Sequence, residues 1–344
     1  MSAFTPASQI LERHESLFSG KNLLVAGDFH DTYVLQLDTA VTKIHCVLFH
    51  LYLQLQSRQQ NEIIEFSAQP TAACYQNTDT LIYYWPKNKS EAQFQLACLL
   101  NNLAKGTDIF IVGENRSGVK SAETLLSPFG SIQKIDTARR CSLYHFSAES
   151  RIAFNFEEWW SQYYLQFDHD MLAIHALPGV FSQKTLDAGS DLLLNTLEEN
   201  AALVRGRVLD IGCGSGVLSA FMAKLNPSIE LMSSDVSATA LASTEKTLQS
   251  NGIKAKVVAS DVFSNIDGRF ELIVSNPPFH DGKETDYSAV DALIKQSKSH
   301  STINGKLCIV ANSFLPYHQL LVQQFKRVDV IGQTTKFKVY LASM

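Results

Sequence analysis

One run constrains this chain more than any other: Val208-Leu209-Asp210-Ile211-Gly212-Cys213-Gly214-Ser215-Gly216. A largely apolar strand signal leads into three glycines at alternate positions, and an apolar helical pattern over 217–225 follows at once. A chain that turns from strand to helix in so few residues needs backbone conformations that glycine adopts without steric cost. The helix start then offers unpaired N–H groups, which suit an anionic group such as a carboxylate. A unit of this kind sits at the C-terminal edge of a parallel α/β sheet, where ligands bind.

The flanking pattern agrees. In the second half, 207–211, 230–234, 256–259, 272–275 and 307–310 read as strands, with helices over 217–225, from a Ser237 cap to about 250, and over 287–297. Residues 327–341 read as two strands about a turn at 332–335. Strands that alternate with helices imply a parallel sheet, and the closing pair adds an antiparallel edge. In the first half, 23–26, 81–85 and 108–112 read as strands, and 44–55 and 91–103 as helices. The segment Thr80-Leu81-Ile82-Tyr83-Tyr84-Trp85-Pro86 lines up with Glu271-Leu272-Ile273-Val274-Ser275-Asn276-Pro277. Residues 105–112 likewise resemble 303–310, and Leu143-Tyr144 resembles Val339-Tyr340. The common order predicts a duplicated α/β domain. The expected boundaries are 1–147, a packed aromatic connector over 148–175 that docks the halves, and 176–344.

Length and composition fit two globular domains: 344 residues, 45% hydrophobic and 18% charged. No signal peptide or membrane-length apolar run is evident, so cytoplasmic residence without membrane association is expected. The six cysteines, Cys46, Cys74, Cys98, Cys141, Cys213 and Cys308, form no Cys-x-x-Cys pair or cluster with histidines, so neither a metal site nor a disulfide framework is expected. A net charge of −5 excludes a protein that is basic all over; any grip on nucleic acid must come from local patches.

Two cofactors use a glycine loop of this geometry. A dinucleotide fold wants Gly-x-Gly-x-x-Gly, but Val217 stands at its third glycine position. The pattern present, Gly-x-Gly-x-Gly behind Asp210, resembles the first motif of class I S-adenosyl-L-methionine-dependent methyltransferases. Asp210, Gly212, Cys213, Gly214 and Gly216 are the candidate cofactor-binding residues of the loop. Asp235 follows the next strand, where an acid holds ribose hydroxyls in both folds. Asp261 follows the third strand, the place where class I methyltransferases often hold the adenine amino group. A nicotinamide reductase is the remote alternative.

Asn276-Pro277-Pro278-Phe279 ends the fourth strand of the second half. The prolines fix the backbone and aim its carbonyls. The Asn276 oxygen and a proline carbonyl can accept hydrogen bonds from an exocyclic amino group, and Phe279 can stack on a planar ring. Such an amine is a poor nucleophile because its lone pair is delocalised; two acceptors favour the pyramidal nitrogen of the transition state, and positioning against a reactive sulfonium supplies much of the rate. Asn276 is also a cofactor-site candidate. The tetrapeptide leaves adenine N6, guanine N2 and glutamine amides open as substrates.

The whole chain resembles the ribosomal RNA small subunit methyltransferase C family, guanine-N2 methyltransferases of 16S rRNA. The resemblance extends over the opening Met1 to Ser8, Leu81 to Lys89, Gly113 to Gly118, Leu177 to Ser182, Phe279 to Gly282 and Phe337 to Tyr340. It implies two tandem class I methyltransferase (Rossmann-like) domains, the first degenerate: Ala26-Gly27-Asp28-Phe29-His30 stands for the glycine loop and Trp85-Pro86-Lys87 for the catalytic tetrapeptide. The first half would support folding and hold RNA. The implied partner is 16S rRNA, in the 30S ribosomal subunit, bound by a monomer that flips the target guanine out of its stack. Lys87, Arg116, Arg139, Arg140, Lys283, Lys336 and Lys338 are candidates for phosphate contact, and Phe181 for contact with cofactor or base. The same chemistry on DNA adenine or protein glutamine, and a non-catalytic RNA-binding assembly factor, are the competing readings.

Overall fold

A computed structural model describes residues 4–59, 62–167, 170–277 and 284–343. The chain divides into two compact units, Met1–Trp159 and Trp160–Met344. The first unit contains β1 (Asn22–Gly27), β2 (Val41–Cys46), β3 (Ile63–Phe66), β4 (Thr80–Tyr84), β5 (Asp108–Glu114), β6 (Gly130–Ala138) and β7 (Cys141–Ala148). Its helices are α1 (Pro6–Glu12), α2 (Phe49–Gln56), α3 (Ala72–Tyr75), α4 (Lys89–Asn102) and α5 (Ser121–Leu126). The second unit opens with a hairpin, β8 (Ser161–Phe167) and β9 (Asp170–Ala176). Its main sheet is built from β10 (Arg207–Ile211), β11 (Glu230–Asp235), β12 (Lys256–Ala259), β13 (Phe270–Ser275), β14 (Ser301–Asn312), β15 (Arg327–Gln333) and β16 (Phe337–Ser343). Its helices are α6 (Ala188–Glu199), α7 (Val217–Leu225), α8 (Ala238–Ser250), α9 (Glu284–Ser297) and α10 (Tyr317–Gln324).

The two seven-stranded sheets share one topology, β3-β2-β1-β4-β5-β7-β6 and β12-β11-β10-β13-β14-β16-β15. Five strands of each run parallel, and the last two close the edge as an antiparallel hairpin. This is the expected α/β class, two tandem mostly parallel sheets with antiparallel edges. The central strands are buried on both faces, which is why they read as continuous apolar runs. In the second unit Val208, Leu272, Val274, Cys308 and Val310 pack beneath α6, α7 and α8. Leu209, Ile211, Ile273, Leu307 and Ile309 pack on the other face against α9 and α10.

The register aligns the two halves residue by residue. Tyr144 pairs with Ile111 in the first sheet and Tyr340 with Ile309 in the second, as the sequence comparison of those strands expects. Both edge hairpins also break register at the same step, between Lys134 and Asp136 and between Val330 and Gly332. One part of the comparison is corrected. Tyr83 pairs with Ile111, whereas Ser275 pairs with Ile309. The counterpart of Tyr83 is therefore Ser275, and that of Tyr84 is Asn276, one residue away from the sequence match. A one-residue slip exchanges the two faces of a strand, and the core assigns Leu81 to the face that corresponds to Ile273.

The predicted helix over 44–55 is also corrected. Val41–Cys46 is a strand hydrogen-bonded between β1 and β3, and the helix starts at Phe49. The apolar spacing of Ile44, Val47, Leu48 and Leu51 spans a strand end, a turn and a helix start, and pairing to β1 overrides the helical period. The aromatic stretch over 148–175 divides between the units. Phe154, Phe156 and Trp159 surround Phe94, with ring centroids 5.9, 6.0 and 5.6 Å away. Further on, the β8–β9 hairpin lies against α8, where Thr247 Oγ1 and Asn251 Oδ1 accept from the backbone N–H groups of His175 and Ala173 at 2.9 and 3.0 Å.

Candidate active site

The glycine loop forms the predicted strand-to-helix turn. Gly212, Gly214 and Gly216 have φ of +74°, +55° and +76°, in the left-handed region that other residues adopt at a cost. A Cβ at Gly216 would meet the Thr244 backbone at 2.9 Å, so that glycine lets α7 approach α8. A Cβ at Gly212 would meet nothing within 4 Å: the space above this residue is open. Gly212 N and Cys213 N donate to Ser234 O at 2.8 and 3.0 Å, which ties the loop to the end of β11. Cys213 is buried; Thr244 Oγ1 donates to its Sγ, and burial pushes its thiol well above the ordinary range, as expected of an inert packing residue.

Two acids stand at the strand ends. Asp235 Oδ2 accepts from Gly214 N at 3.0 Å and Oδ1 from Ser237 N at 2.9 Å, so this carboxylate braces the loop against the start of α8. Burial raises its pKa, and these backbone donors oppose the rise. Asp210 is fully buried. Ser219 Oγ donates to its Oδ2 at 2.6 Å, while Oδ1 has no partner among the described residues. Burial, helped by the charge of Asp235 and opposed by Ser219, pushes its pKa up to about 7.

Asn276 lies directly beyond β13, whose Ser275 pairs with Ile211 at the foot of the loop. Its Nδ2 donates to Ser190 Oγ at 2.8 Å and to Asp187 Oδ2 at 3.3 Å. Its Oδ1 is buried and without a hydrogen-bond partner among the described residues. Asp187 and Ser190 are the cap and third residue of α6, and sequence reasoning missed both. The signal was present: an Asp at a helix start is a capping signature, but its value to Asn276 depends on a contact 89 residues away. Tyr163 and Ser215 were missed as well. Their hydroxyls are buried without an aligned hydrogen bond, and the phenol, pushed up to about 12 by burial, senses both Ser215 and the Asp187 charge. Four buried polar atoms without an aligned partner among the described residues, Asp210 Oδ1, Ser215 Oγ, Asn276 Oδ1 and Tyr163 OH, thus belong to residues at or facing the ends of β10 and β13. Native interiors pair nearly all such atoms, so this grouping marks a place where a polar ligand completes the structure.

Other candidates fall around this edge. Asp261 is exposed two residues past Ala259, the partner of Asp235. Phe181 is 55% exposed, and its carbonyl lies 3.9 Å from where a Gly214 Cβ would be. Pro277 is buried; Pro278, Phe279 and Lys283 lie outside the described residues. Lys336 is exposed just before β16, and Lys338 is half-buried within that strand, which pairs with β14. In the first unit Lys87 is exposed, Arg116 pairs with Glu114, and Arg139 and Arg140 form the β6–β7 turn. Asn115 N donates to Arg140 O at 2.8 Å, so this turn and the Arg116 segment adjoin. Among the described residues no group of three or more His, Cys, Asp or Glu side chains is arranged to hold a metal. The six cysteines are free and buried, and no described helix is long and apolar enough to cross a membrane.

The first unit shows the same edge more crowded. Gly27, the counterpart of Gly212, keeps a φ of +97°, but a Cβ there would lie 2.0 Å from Tyr84 O. Phe29 and Tyr84 lie beside this turn, their ring centroids 5.5 Å apart and both buried, and a small cavity lined by Gly27, His45, Pro70 and Gln95 remains.

Comparison with known proteins agrees with this architecture. A family profile described as methyltransferase small domain matches residues 171–341, and one described as methyltransferase small domain N-terminal matches 8–163. Ribosomal RNA small subunit methyltransferase C of Klebsiella pneumoniae is 49% identical over 344 residues, covering 100% of this chain and 98% of its own. The protein of that name from Serratia proteamaculans is 46% identical, with 100% and 97% covered. The solved T. thermophilus 16S rRNA N2 methyltransferase, in complex with AdoMet and guanosine, superposes with a TM-score of 0.84 at 22% identity, over 98% of this chain and 92% of that one. The fold is common to that structure, and full-length identity near one half decides the kinship: the chain belongs to the ribosomal RNA small subunit methyltransferase C family.

Proposed function

We propose that this protein transfers a methyl group from S-adenosyl-L-methionine to the exocyclic N2 of a guanine in 16S rRNA. The observation that carries the reading is Asn276 Oδ1, a buried acceptor at the end of β13 with no partner among the described residues, beside an open glycine loop. The names of the full-length relatives support the substrate, and the residues of the loop fit the cofactor. Space over Gly212 admits a ligand against the backbone. The Asp210 carboxyl, with its Oδ1 unpaired among the described residues, lies beneath the loop and suits a cationic ligand that favours its ionised form. The start of α7 and the hydroxyls of Ser215 and Tyr163 suit its carboxylate. A carboxylate oxygen accepts more than one hydrogen bond, so Asp235 keeps capacity for ribose hydroxyls while bracing the loop; Asp261 is the candidate for the adenine amino group.

The cofactor supplies a methyl group already activated on a sulfonium. The chain positions the acceptor: Asn276 Oδ1 and the Pro277 carbonyl draw the two amino hydrogens, localise the nitrogen lone pair and aim it. Phe279 stacks on the flipped base, and the amine proton leaves late without a strong base. The basic residues of the first unit, with Lys336 and Lys338, hold RNA phosphates. The setting is the 30S particle in the cytoplasm, with a monomer as the active form and no metal.

The test is transfer of tritium from labelled cofactor to small ribosomal subunits, followed by nucleoside analysis. Label is expected in N2-methylguanosine. Asn276→Ala should reduce transfer by about a hundredfold or more and leave RNA binding nearly intact. Label in N6-methyladenine, or only in protein, defeats the reading.

A further inference from the structure

We propose that Asp187 and Ser190 are positioning residues that lock the Asn276 carboxamide with its oxygen toward the substrate. The strand end then accepts an amino group and turns away a carbonyl. This rests on the reading of Asn276 as the amino-group acceptor.

A primary amide has two nearly isosteric ends, one donor and one acceptor, and rotation by half a turn exchanges them. At Asn276 the exchange is blocked. Nδ2 faces two oxygens, Ser190 Oγ at 2.8 Å and Asp187 Oδ2 at 3.3 Å. An ionised carboxylate accepts and never donates, so a turned amide would set its carbonyl lone pairs against those of Asp187. The carboxylate cannot swing aside either. Its Oδ1 accepts from Gly189 N at 2.8 Å and Ser190 N at 3.2 Å, and its Oδ2 accepts from Ser182 Oγ at 3.2 Å. The cap of α6 therefore serves as a fixed negative stop for the amide. The remaining end, Oδ1, is held in place, buried and unpaired among the described residues.

The consequence is chemical selection. The edge of guanine presents both an amino donor and a carbonyl acceptor. An amide with oxygen outward satisfies itself on the amino group; one with nitrogen outward would bind the carbonyl and hold the wrong atom.

The first unit carries a related arrangement without the amide. Ser8 occupies the third position of α1, as Ser190 does in α6, and its Oγ lies 3.0 Å from the hydroxyl of Tyr84, the counterpart of Asn276. Its cap is Thr5 rather than an acid. A serine that anchors the strand-end residue is thus common to both units. An acid stands beside the serine in both: Asp31 Oδ1 accepts from Ser8 Oγ at 2.9 Å in the first unit, whereas in the second Asp187 Oδ2 accepts from the strand-end amide itself at 3.3 Å.

Asp187→Asn is the decisive variant, because Asn caps a helix as well as Asp and is the same size. A mere capping role predicts no change. The lock predicts a fall in kcat of about a hundredfold, with KM for the small subunit, cofactor Kd by calorimetry and Tm held. Retention of kcat within threefold overturns the proposal, as does a loss that merely follows Kd or Tm. Should Asp187→Asn fail to fold, Ser190→Ala carries the test: about a tenfold loss in kcat at unchanged Kd is expected, and an unchanged kcat overturns the lock. Asn276→Ala is run alongside. If it is inactive while Asp187→Asn is not, only the lock falls; if it retains full rate, the acceptor reading falls with it.

Discussion

Gly27 and Gly212 show how one backbone conformation serves two ends. Both are left-handed, but Tyr84 O closes over the first and open space lies over the second. Gly27→Ala should destabilise the chain by about 3 kcal/mol or more, because the clash is with backbone; urea unfolding reads this directly. Gly212→Ala meets no atom and should cost only about 1–2 kcal/mol for its φ, yet weaken cofactor binding at least ~10-fold by calorimetry, since the methyl group would stand where the ligand lies against the backbone. Asp210 adds a pH dependence. Folding raises its pKa from 3.8 to about 7. Between those values the folded chain binds more protons than the unfolded chain, so its contribution to stability is lost as pH rises through that window. A cationic ligand near the unpaired oxygen favours the ionised form. Cofactor binding should therefore release a proton near neutrality, and affinity should rise from pH 6 to pH 8. Calorimetry in buffers of different ionisation heat measures both; affinity flat with pH would sink this assignment for Asp210.

At the level of elements, what the sequence disclosed follows from which interactions are local. The turn from β10 to α7 was legible because three glycines and the adjoining apolar periods carry it, and the start of α8 because Ser237 caps it through Ala240 N. The β2 strand and the β8–β9 hairpin were not, because the first is decided by pairing to β1 and the second by side chains of α8. The β6–β7 turn is a third case. Arg139 and Arg140 take φ of +54° and +62° in a two-residue connection where Asn-Gly is the unstrained choice. Replacing the pair by Asn-Gly should stabilise the chain by about 1–2 kcal/mol while weakening RNA binding, measured by thermal melts and filter binding of one preparation. Tighter RNA binding by that variant would mean the strained arginines serve no RNA contact.

For the whole molecule, a net charge of −5 makes nucleic-acid affinity a matter of patches set in a repelling field. If Arg116, Arg139 and Arg140 each neutralise a phosphate, their joint replacement by Ala should flatten the slope of log affinity against log salt by about two to three. An unchanged slope would place the RNA elsewhere. The site was legible to the same extent as the fold: residues contiguous in sequence, the glycine loop and Asn276-Pro277, announced themselves. Asp187, Ser190 and Tyr163 did not, because they matter only once α6 and β8 are brought to the ends of β10 and β13.

The register break shared by the two edge hairpins has a historical meaning. An extra residue in a strand turns every later side chain to the opposite face, so both strands must have been composed around it. Ile135 and Ile331 stand at the same step of strands that share almost no other identity. Two separate insertions there would be a double coincidence, whereas a bulge inherited from a single ancestral domain needs to arise only once. The irregularity is thus common property of the two halves, present with the three-glycine loop in one and without it in the other.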